Sequence, residues 1–241
     1  MLMAGSTAQA EEAPWSARLL QGGFDGAIYW GGVAIRLAPH WKTYWRVPGA
    51  GGVAPDFQAM GDNLKQFSFY LPTPKRFDSA SGEAIGYKDF VVYPMGFAPT
   101  DISKALTVNV SGFMGVCDEV CIPAKFDGSL TFAPDSTAGD QLLISQWLGM
   151  SPVVSAHGPV QLAKAILIDD KVGLQLTLSE AVGDIFVEGL AQHYFQAPVF
   201  SGLTAILVVT GAKTLNDLSG QSLRITSVAI KGGLEQTIIV L

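Results

Sequence analysis

The sequence predicts an all-β protein made of two successive β domains with little helix, and three observations carry that prediction. Short runs of alternating or β-branched residues recur along the chain, Gly, Pro, Asp or Ser bound most of them, and one stretch alone has a helical pattern. In the first half the runs are Gly26 to Leu37, Gln66 to Leu71, Phe90 to Pro94, Leu106 to Val110 and Gly128 to Phe132. Regular spacing of that kind suits a sandwich or barrel. The texture changes between Pro134 and Pro152, where Asp135 to Asp140 is turn-like and Gln141 to Trp147 forms a short amphipathic helix pattern. Strand runs then resume at Val160 to Ile168, Val172 to Leu178, Asp184 to Glu188, Thr204 to Thr210, Leu223 to Ile230 and Leu234 to Leu241. Asp169-Asp170-Lys171 and Lys231-Gly232-Gly233 are the expected hairpin turns between them. The expected layout is a leader remnant at 1–10, a first domain at 11–138, a linker with a short helix at 139–151 and a second domain at 152–241.

Composition narrows the classes. The 241 residues are 49% hydrophobic and 15% charged, with a formal net charge of −6 and no basic run, which argues against nucleic acid and anionic membrane surfaces. A protein or a small thiol is the expected partner. No stretch approaches the roughly 18 apolar residues of a membrane span, so the chain is not expected to be membrane-spanning. Ala8-Gln9-Ala10 before Glu11-Glu12 matches the A-x-A cleavage site of a secretory signal peptide. Export would bring the chain into an oxidising compartment, which suits a cysteine pair.

Cys117 and Cys121, in Val116-Cys117-Asp118-Glu119-Val120-Cys121-Ile122-Pro123, are the only two cysteines. Val116, Val120 and Ile122 favour strand, and Pro123 biases its predecessor to an extended conformation, so the expected setting is a tight hairpin with Asp118-Glu119-Val120 as its loop. Directly paired antiparallel residues lie about 4.5 to 5.5 Å apart at Cα, within the roughly 4.4 to 6.8 Å that a disulfide needs. A bridge enclosing so few residues stabilises by only about 2 kcal/mol, so stability is a weak reason for the pair. Three readings stay open: a redox-active pair, a structural disulfide, or Cu(I) ligands, with Met114 as a third and copper tolerance as the setting. A zinc site is disfavoured because His40, His157 and His193 are isolated from the pair and from one another. Asp118 and Glu119 disfavour a thiolate beside them, and the next cation along the sequence is Lys125, so the thiols are expected to be sluggish until a partner docks.

Elsewhere the signals are weaker. His40-Trp41-Lys42-Thr43-Tyr44-Trp45-Arg46 is a dense aromatic cluster, as consistent with core packing as with a wall shielding the cysteines. Gly49-Ala50-Gly51-Gly52-Val53-Ala54 formally matches a dinucleotide fingerprint, but it lies between Pro48 and Pro55 with no helix to follow, which makes it a loop. Nucleophile-elbow, phosphate-loop, zinc-protease and EF-hand patterns are absent.

Several of these segments together resemble one family, the N-terminal periplasmic domain of the bacterial membrane reductase DsbD and its relative ScsB, also described as the disulfide bond corrector domain. The resemblance rests on His40 to Gly49, Pro72-Thr73-Pro74-Lys75-Arg76-Phe77, Gly86 to Pro94 and Val116 to Pro123, and extends through Asp184 to Gly189, Tyr194-Phe195 and Ala197-Pro198. It implies immunoglobulin-like sandwiches and a periplasmic thiol–disulfide relay that needs no cofactor and no metal. A membrane-embedded donor would reduce the pair, which would then reduce periplasmic thioredoxin-fold proteins. Cys121 would form the mixed disulfide and Cys117 resolve it. A cap loop within Glu83 to Phe90 would cover the pair, with Tyr87 or Phe90 shielding it, and Trp41, Tyr44, Trp45, Asp118, Glu119 and Pro123 would complete the surround. DsbD places more residues between its cysteines, so the short loop here looks closer to ScsB. Neither a multi-span membrane domain nor a thioredoxin-like domain occurs in these 241 residues, so a chain acting alone would take its electrons from a separate protein. The competing expectation is a non-enzymatic immunoglobulin-like binding module with a fixed or Cu(I)-binding pair.

Overall fold

The computed structural model describes residues 13–49, 51–79, 82–133, 139–229 and 232–241. The leader remnant, residues 135–138 of the turn-like segment, Ile230 and Lys231 lie outside the described residues.

Among the described residues the first half forms ten strands: β1 (Trp15–Phe24), β2 (Tyr29–Leu37), β3 (Lys42–Gly49), β4 (Asp56–Met60), β5 (Leu64–Phe69), β6 (Lys75–Ser79), β7 (Gly82–Lys88), β8 (Phe90–Pro99), β9 (Leu106–Cys117) and β10 (Cys121–Phe132). They build two sheets, ordered β1-β2-β8-β5 and β10-β9-β3-β7-β6, with β4 pairing β9 beside β3. The two-residue period decides which side chains meet. In β9 and β10, Leu106, Val108, Val110, Met114, Val116, Ala124, Leu130 and Phe132 point inward and are buried. They pack against Tyr29, Val33, Ile35, Val91, Tyr93 and Phe97 of the facing sheet. Trp45 and Tyr87 belong to the same core, with Trp41 packed at its margin.

A helix, α1 (Gln141–Leu148), follows. Expected as part of a linker, it is docked on the outer face of the β1-β2-β8-β5 sheet, where Ile144 is 1% exposed among Leu20, Ala34 and Val92. Asp140 accepts hydrogen bonds from Arg18 and from the Gln21 backbone, and Gln141 accepts one from the Gly23 backbone. A Cβ at Gly22 would stand 2.9 Å from Ile144, so the absence of a side chain there lets the helix approach.

The second half continues with β11 (Val153–Val154), β12 (Val160–Ile168), β13 (Lys171–Leu178), β14 (Asp184–Glu188), β15 (Tyr194–Phe195), β16 (Val199–Ser201), β17 (Thr204–Thr210), β18 (Ser222–Ala229) and β19 (Gly232–Ile239). One sheet runs β11-β19-β18-β14 and the other β12-β13-β17-β15, with β16 also on β17. Asp169 and Asp170 both have positive φ and leave Ile168 opposite Lys171, the two-residue hairpin that short polar residues favour. The all-β expectation and its immunoglobulin-like form hold, with sheets that share no strand between the halves.

Two arginines join the halves. Arg46 lies over the Trp45 ring at 4.0 Å and donates to Glu188 at 2.6 Å and to Glu235. Arg76 lies over Phe186 at 4.6 Å, donates to both Asp184 oxygens at 3.0 Å and to the Ile185 carbonyl at 2.6 Å, and also reaches Glu83. Phe186 itself meets Trp45 at 5.5 Å and belongs to the first half's core. Burial pushes the Asp184 carboxyl above its ordinary pKa in spite of Arg76.

Two expected outcomes follow from this packing. Ile144→Ala should cost about 2–5 kcal/mol in denaturant unfolding, whereas exposed Leu142→Ala should stay within about 0.5 kcal/mol; equal effects would mean the helix is not held by its apolar face. Arg76→Met should destabilise most near neutral pH, because the Asp184 carboxylate is then half-buried without its cation. A carboxyl whose folded pKa is raised binds its proton more readily folded than unfolded, so the variant should regain stability as pH falls through that raised value. Melting curves between pH 7 and about pH 4 check this, and a deficit that does not shrink on acidification would contradict it.

Candidate functional site

Cys117 ends β9 and Cys121 begins β10, directly opposite each other, as the hairpin expectation holds. They form a disulfide with a Cα separation of 4.0 Å. That is tighter than the sequence-based window and lies nearer the narrow class of antiparallel pair, about 4.5 Å, than the wide one, about 5.5 Å. Asp118, Glu119 and Val120 form the loop, with Val120 72% exposed at the tip. The two sulfur-bearing residues differ in access: Cys117 is 1% exposed, whereas Cys121 is exposed.

Register builds the surroundings. Cys117 pairs with Cys121 on one side and with Lys42 of β3 on the other, and Lys42 pairs in turn with Lys88 of β7. Side chains of directly paired residues share a face, so Cys121, Cys117, Lys42 and Lys88 form one row on the outer surface, opposite the core. Tyr44, two residues on from Lys42, shares that face. Its ring packs with Cys117 and Ala84, with Phe77 beside them, and its hydroxyl is 3.9 Å from Cys121 Sγ. Burial pushes the phenol above its usual pKa, so Tyr44 faces the sulfur as a neutral hydroxyl, a potential donor to thiolate.

The glycine-rich loop lies against this group. A Cβ at Gly52 would fall 2.4 Å from the Tyr44 ring, so only glycine lets the loop rest on it. The neighbouring Val53 carbonyl accepts a hydrogen bond from the Gly115 backbone at 3.3 Å.

The structure thus gathers some of the expected site residues and disperses others. Tyr44, Asp118, Glu119 and Pro123 stand with the cysteines on the outer face or in its loop. Trp45 points inward, as strand alternation from Tyr44 requires, and Trp41 packs at the core margin. Tyr87 is likewise internal, donating to the Pro72 carbonyl at 2.6 Å and meeting Tyr93 edge-on. Phe90 lies under α1, 5.7 Å from Trp147 and beneath Arg36. The expected cap loop at Glu83 to Phe90 is instead a strand, β7, followed by a tight turn at Asp89 with φ 62°. What lies over Cys117 is Tyr44 with Ala84 and Phe77 of the β6–β7 hairpin.

Lys42 escaped the sequence reading. It is 5% exposed, and its ammonium donates to the Asp118 carbonyl at 2.9 Å and more weakly to that of Cys117 at 3.5 Å. Along the sequence the next cation is Lys125, whereas the strand register brings Lys42 from 75 residues away. Alternation in Lys42-Thr43-Tyr44-Trp45 carries the missing signal: once the segment is a strand, Lys42 and Tyr44 share one face and Thr43 and Trp45 the other.

A β-sandwich with a half-exposed disulfide at a hairpin end, beside an aromatic ring and a buried cation, is an arrangement suited to thiol–disulfide exchange. Residues 16–132 match the family described as "Thiol:disulfide interchange protein DsbD, N-terminal". The fold is similar to the crystal structure of the N-terminal periplasmic domain of ScsB from Proteus mirabilis, with a TM-score of 0.75 at 22% identity over 97% of this chain and 96% of that one. The N-terminal domain of Neisseria meningitidis DsbD in its reduced form aligns over 48% of this chain and 88% of that one, with 19% identity and a TM-score of 0.27. No protein with a curated description matches the chain. Among the described residues no helix is long and apolar enough to cross a membrane.

The position of Tyr44 makes an expected outcome concrete. Tyr44→Ala should speed reduction of the disulfide by dithiothreitol by about three- to tenfold, because access to the attacked sulfur governs such rates. Tyr44→Phe keeps the ring and should change the rate far less. Thiol release against time measures both, and an alanine variant no faster than the native chain would remove the shielding role.

Proposed function

We propose that this chain is a periplasmic thiol–disulfide relay, accepting electrons from a membrane-embedded donor and passing them to thioredoxin-fold proteins through Cys117 and Cys121. The observation that carries this reading is the asymmetry of the pair, with one exposed sulfur-bearing residue and one buried beside a cation. In the reduced domain the Cys121 thiol loses its proton and the thiolate attacks a partner disulfide. One partner sulfur bonds to Cys121 and the other leaves as a thiolate, which takes up a proton. The Cys117 thiolate then attacks Cys121 Sγ, closing the intramolecular disulfide and releasing the second partner sulfur. Two electrons and two protons have moved to the partner, and a donor dithiol restores the pair by the reverse sequence.

The exchange chemistry belongs to the first sandwich, and the second, at 152–241, serves as a clamped scaffold. Support for the periplasmic setting comes from the description of the similar ScsB structure as a periplasmic domain, together with the A-x-A pattern near the N-terminus.

Replacing Cys117 with alanine removes the resolving sulfur. The variant, reduced and mixed with an oxidised thioredoxin-fold protein, should accumulate a mixed disulfide through Cys121 that survives non-reducing electrophoresis, while Cys121→Ala should trap little. Trapping by neither variant would sink the relay. A reduction potential below about −300 mV would instead mark the bond as a structural one.

A further inference from the structure

Lys42 has a chemistry that packing does not explain. Among the described residues its ammonium pairs with no carboxylate; its hydrogen-bond partners are two backbone carbonyls at the end of the cysteine hairpin. Keeping a lysine 5% exposed on dipoles alone is costly, because burial disfavours an unpaired charge. A hydrophobic residue would fill the same place without that cost. The cost is offset if a negative charge appears alongside, and the neighbouring residue in the ladder is Cys117.

We propose that Lys42 is a positioning residue that holds the hairpin loop by its carbonyls and stabilises the Cys117 thiolate electrostatically. This rests on the relay reading, but it concerns the buried sulfur rather than the exposed one. When a donor thiolate attacks Cys121 Sγ, the S–S bond breaks and Cys117 leaves with the electron pair as a thiolate. It does so inside the fold, where a bare anion would be strongly disfavoured. In the opposite direction the same thiolate resolves the mixed disulfide. Exchange rates depend on the pKa of the leaving thiol, so a cation beside Cys117 assists the first direction and populates the nucleophile for the second.

Other groups share the face and enter the balance. Tyr44 of β3 offers a neutral hydroxyl. Lys88 of β7 sits over the Phe77 ring at 4.7 Å, and Lys75 of β6 is exposed. Lys125 of β10 lies farther along the strand, over Phe113 at 5.9 Å, with Asp56 of β4 at the same level. Asp118 and Glu119 in the loop oppose ionisation of either thiol. Of these charged groups, Lys42 combines burial with direct pairing to Cys117.

A Cys121→Ser variant leaves Cys117 as the sole thiol, and its ionisation can be followed by ultraviolet thiolate absorbance without any partner. Cys117 should titrate below the unperturbed cysteine value of about 8.5 despite its burial. Adding Lys42→Gln, whose amide can still donate to the loop carbonyls, should move the titration above that value, and Lys42→Arg should keep it low. In the two-cysteine chain Lys42→Gln should slow reduction of the disulfide by dithiothreitol about three- to tenfold at pH 7. Glutamine and arginine variants that titrate together would overturn the proposal. So would a Cys121→Ser protein titrating at or above about 8.5, a result that needs no Lys42 variant to fold. Failure of the mixed-disulfide trap would instead strike the relay and leave this titration standing.

Discussion

The two-residue period of β3, β7, β9 and β10 is the constraint on which the rest depends. It sorts a single sheet into two faces with unrelated duties. Val116, Met114, Trp45, Ile85 and Tyr87 turn inward and build a core, while the alternate residues Cys117, Tyr44, Lys42 and Lys88 turn outward and build a reactive row. A slip of one residue in the β3–β9 register would exchange the two sets, burying the lysine in the core and exposing Trp45. The apolar core is therefore what fixes the register of the site, although no core side chain belongs to the row.

The same alternation explains how a second sandwich is attached without crowding the disulfide. Arg76 lies on the inward side of β6, opposite the cysteine face, and Arg46 follows Trp45 where the β3–β7 pairing becomes irregular; both reach carboxylates of the second half. Each guanidinium stacks on an aromatic ring of the shared core and pairs with carboxylates across the junction. Planar, delocalised arginine suits this better than lysine, because it can stack and donate several hydrogen bonds at once. Tyr194 adds a hydroxyl donated to Glu83 at 2.6 Å, tying the β6–β7 hairpin to the second half as well. That hairpin is also the one whose Phe77 and Ala84 lie beside Cys117. One element thus touches both the reactive row and the junction.

Much of this is legible in the sequence, and what is not legible has two physical causes. Six of the nine described second-half strands read directly, because runs such as Val160 to Ile168 and Thr204 to Thr210 are apolar, carry β-branched residues and are bounded by turn residues, whereas β11, β15 and β16 are too short to show a pattern. The cysteine hairpin read equally well, since spacing, β-branched neighbours and Pro123 all agreed. By contrast β3 and β7 were hidden: one is aromatic on both faces, and the other is interrupted by Gly82 and Gly86. With β3 unread, Trp41, Trp45 and Tyr44 merge into one aromatic cluster, and only the strand period separates the tyrosine that packs on Cys117 from the tryptophans that pack in the core or at its margin. The cap loop within Glu83 to Phe90 is an expectation from the resemblance alone, whereas Gly86 pairs with Tyr44 inside the sheet. Lys42 was invisible for a different reason: its neighbour is defined by a pairing across 75 residues, which no local pattern records.

The size of the ring closed by the disulfide bears on how such a domain can cycle. With only five residues from Cys117 to Cys121, the bond restricts the unfolded chain by about 2 kcal/mol, a small part of what holds a sandwich together. It closes one end of a ladder in which β9 and β10 are paired continuously from Cys117–Cys121 to Leu106–Phe132, and the remaining pairs do not need it. Breaking it therefore leaves the core and its register supported from the inward face. The free-energy difference between oxidised and reduced forms is then set less by the fold than by the immediate surroundings of two sulfurs. Those surroundings are a tyrosine hydroxyl, two loop carboxylates, a buried ammonium and the unequal exposure of the pair. A hairpin end placed opposite the core lets this local chemistry vary while the sandwich beneath it stays the same.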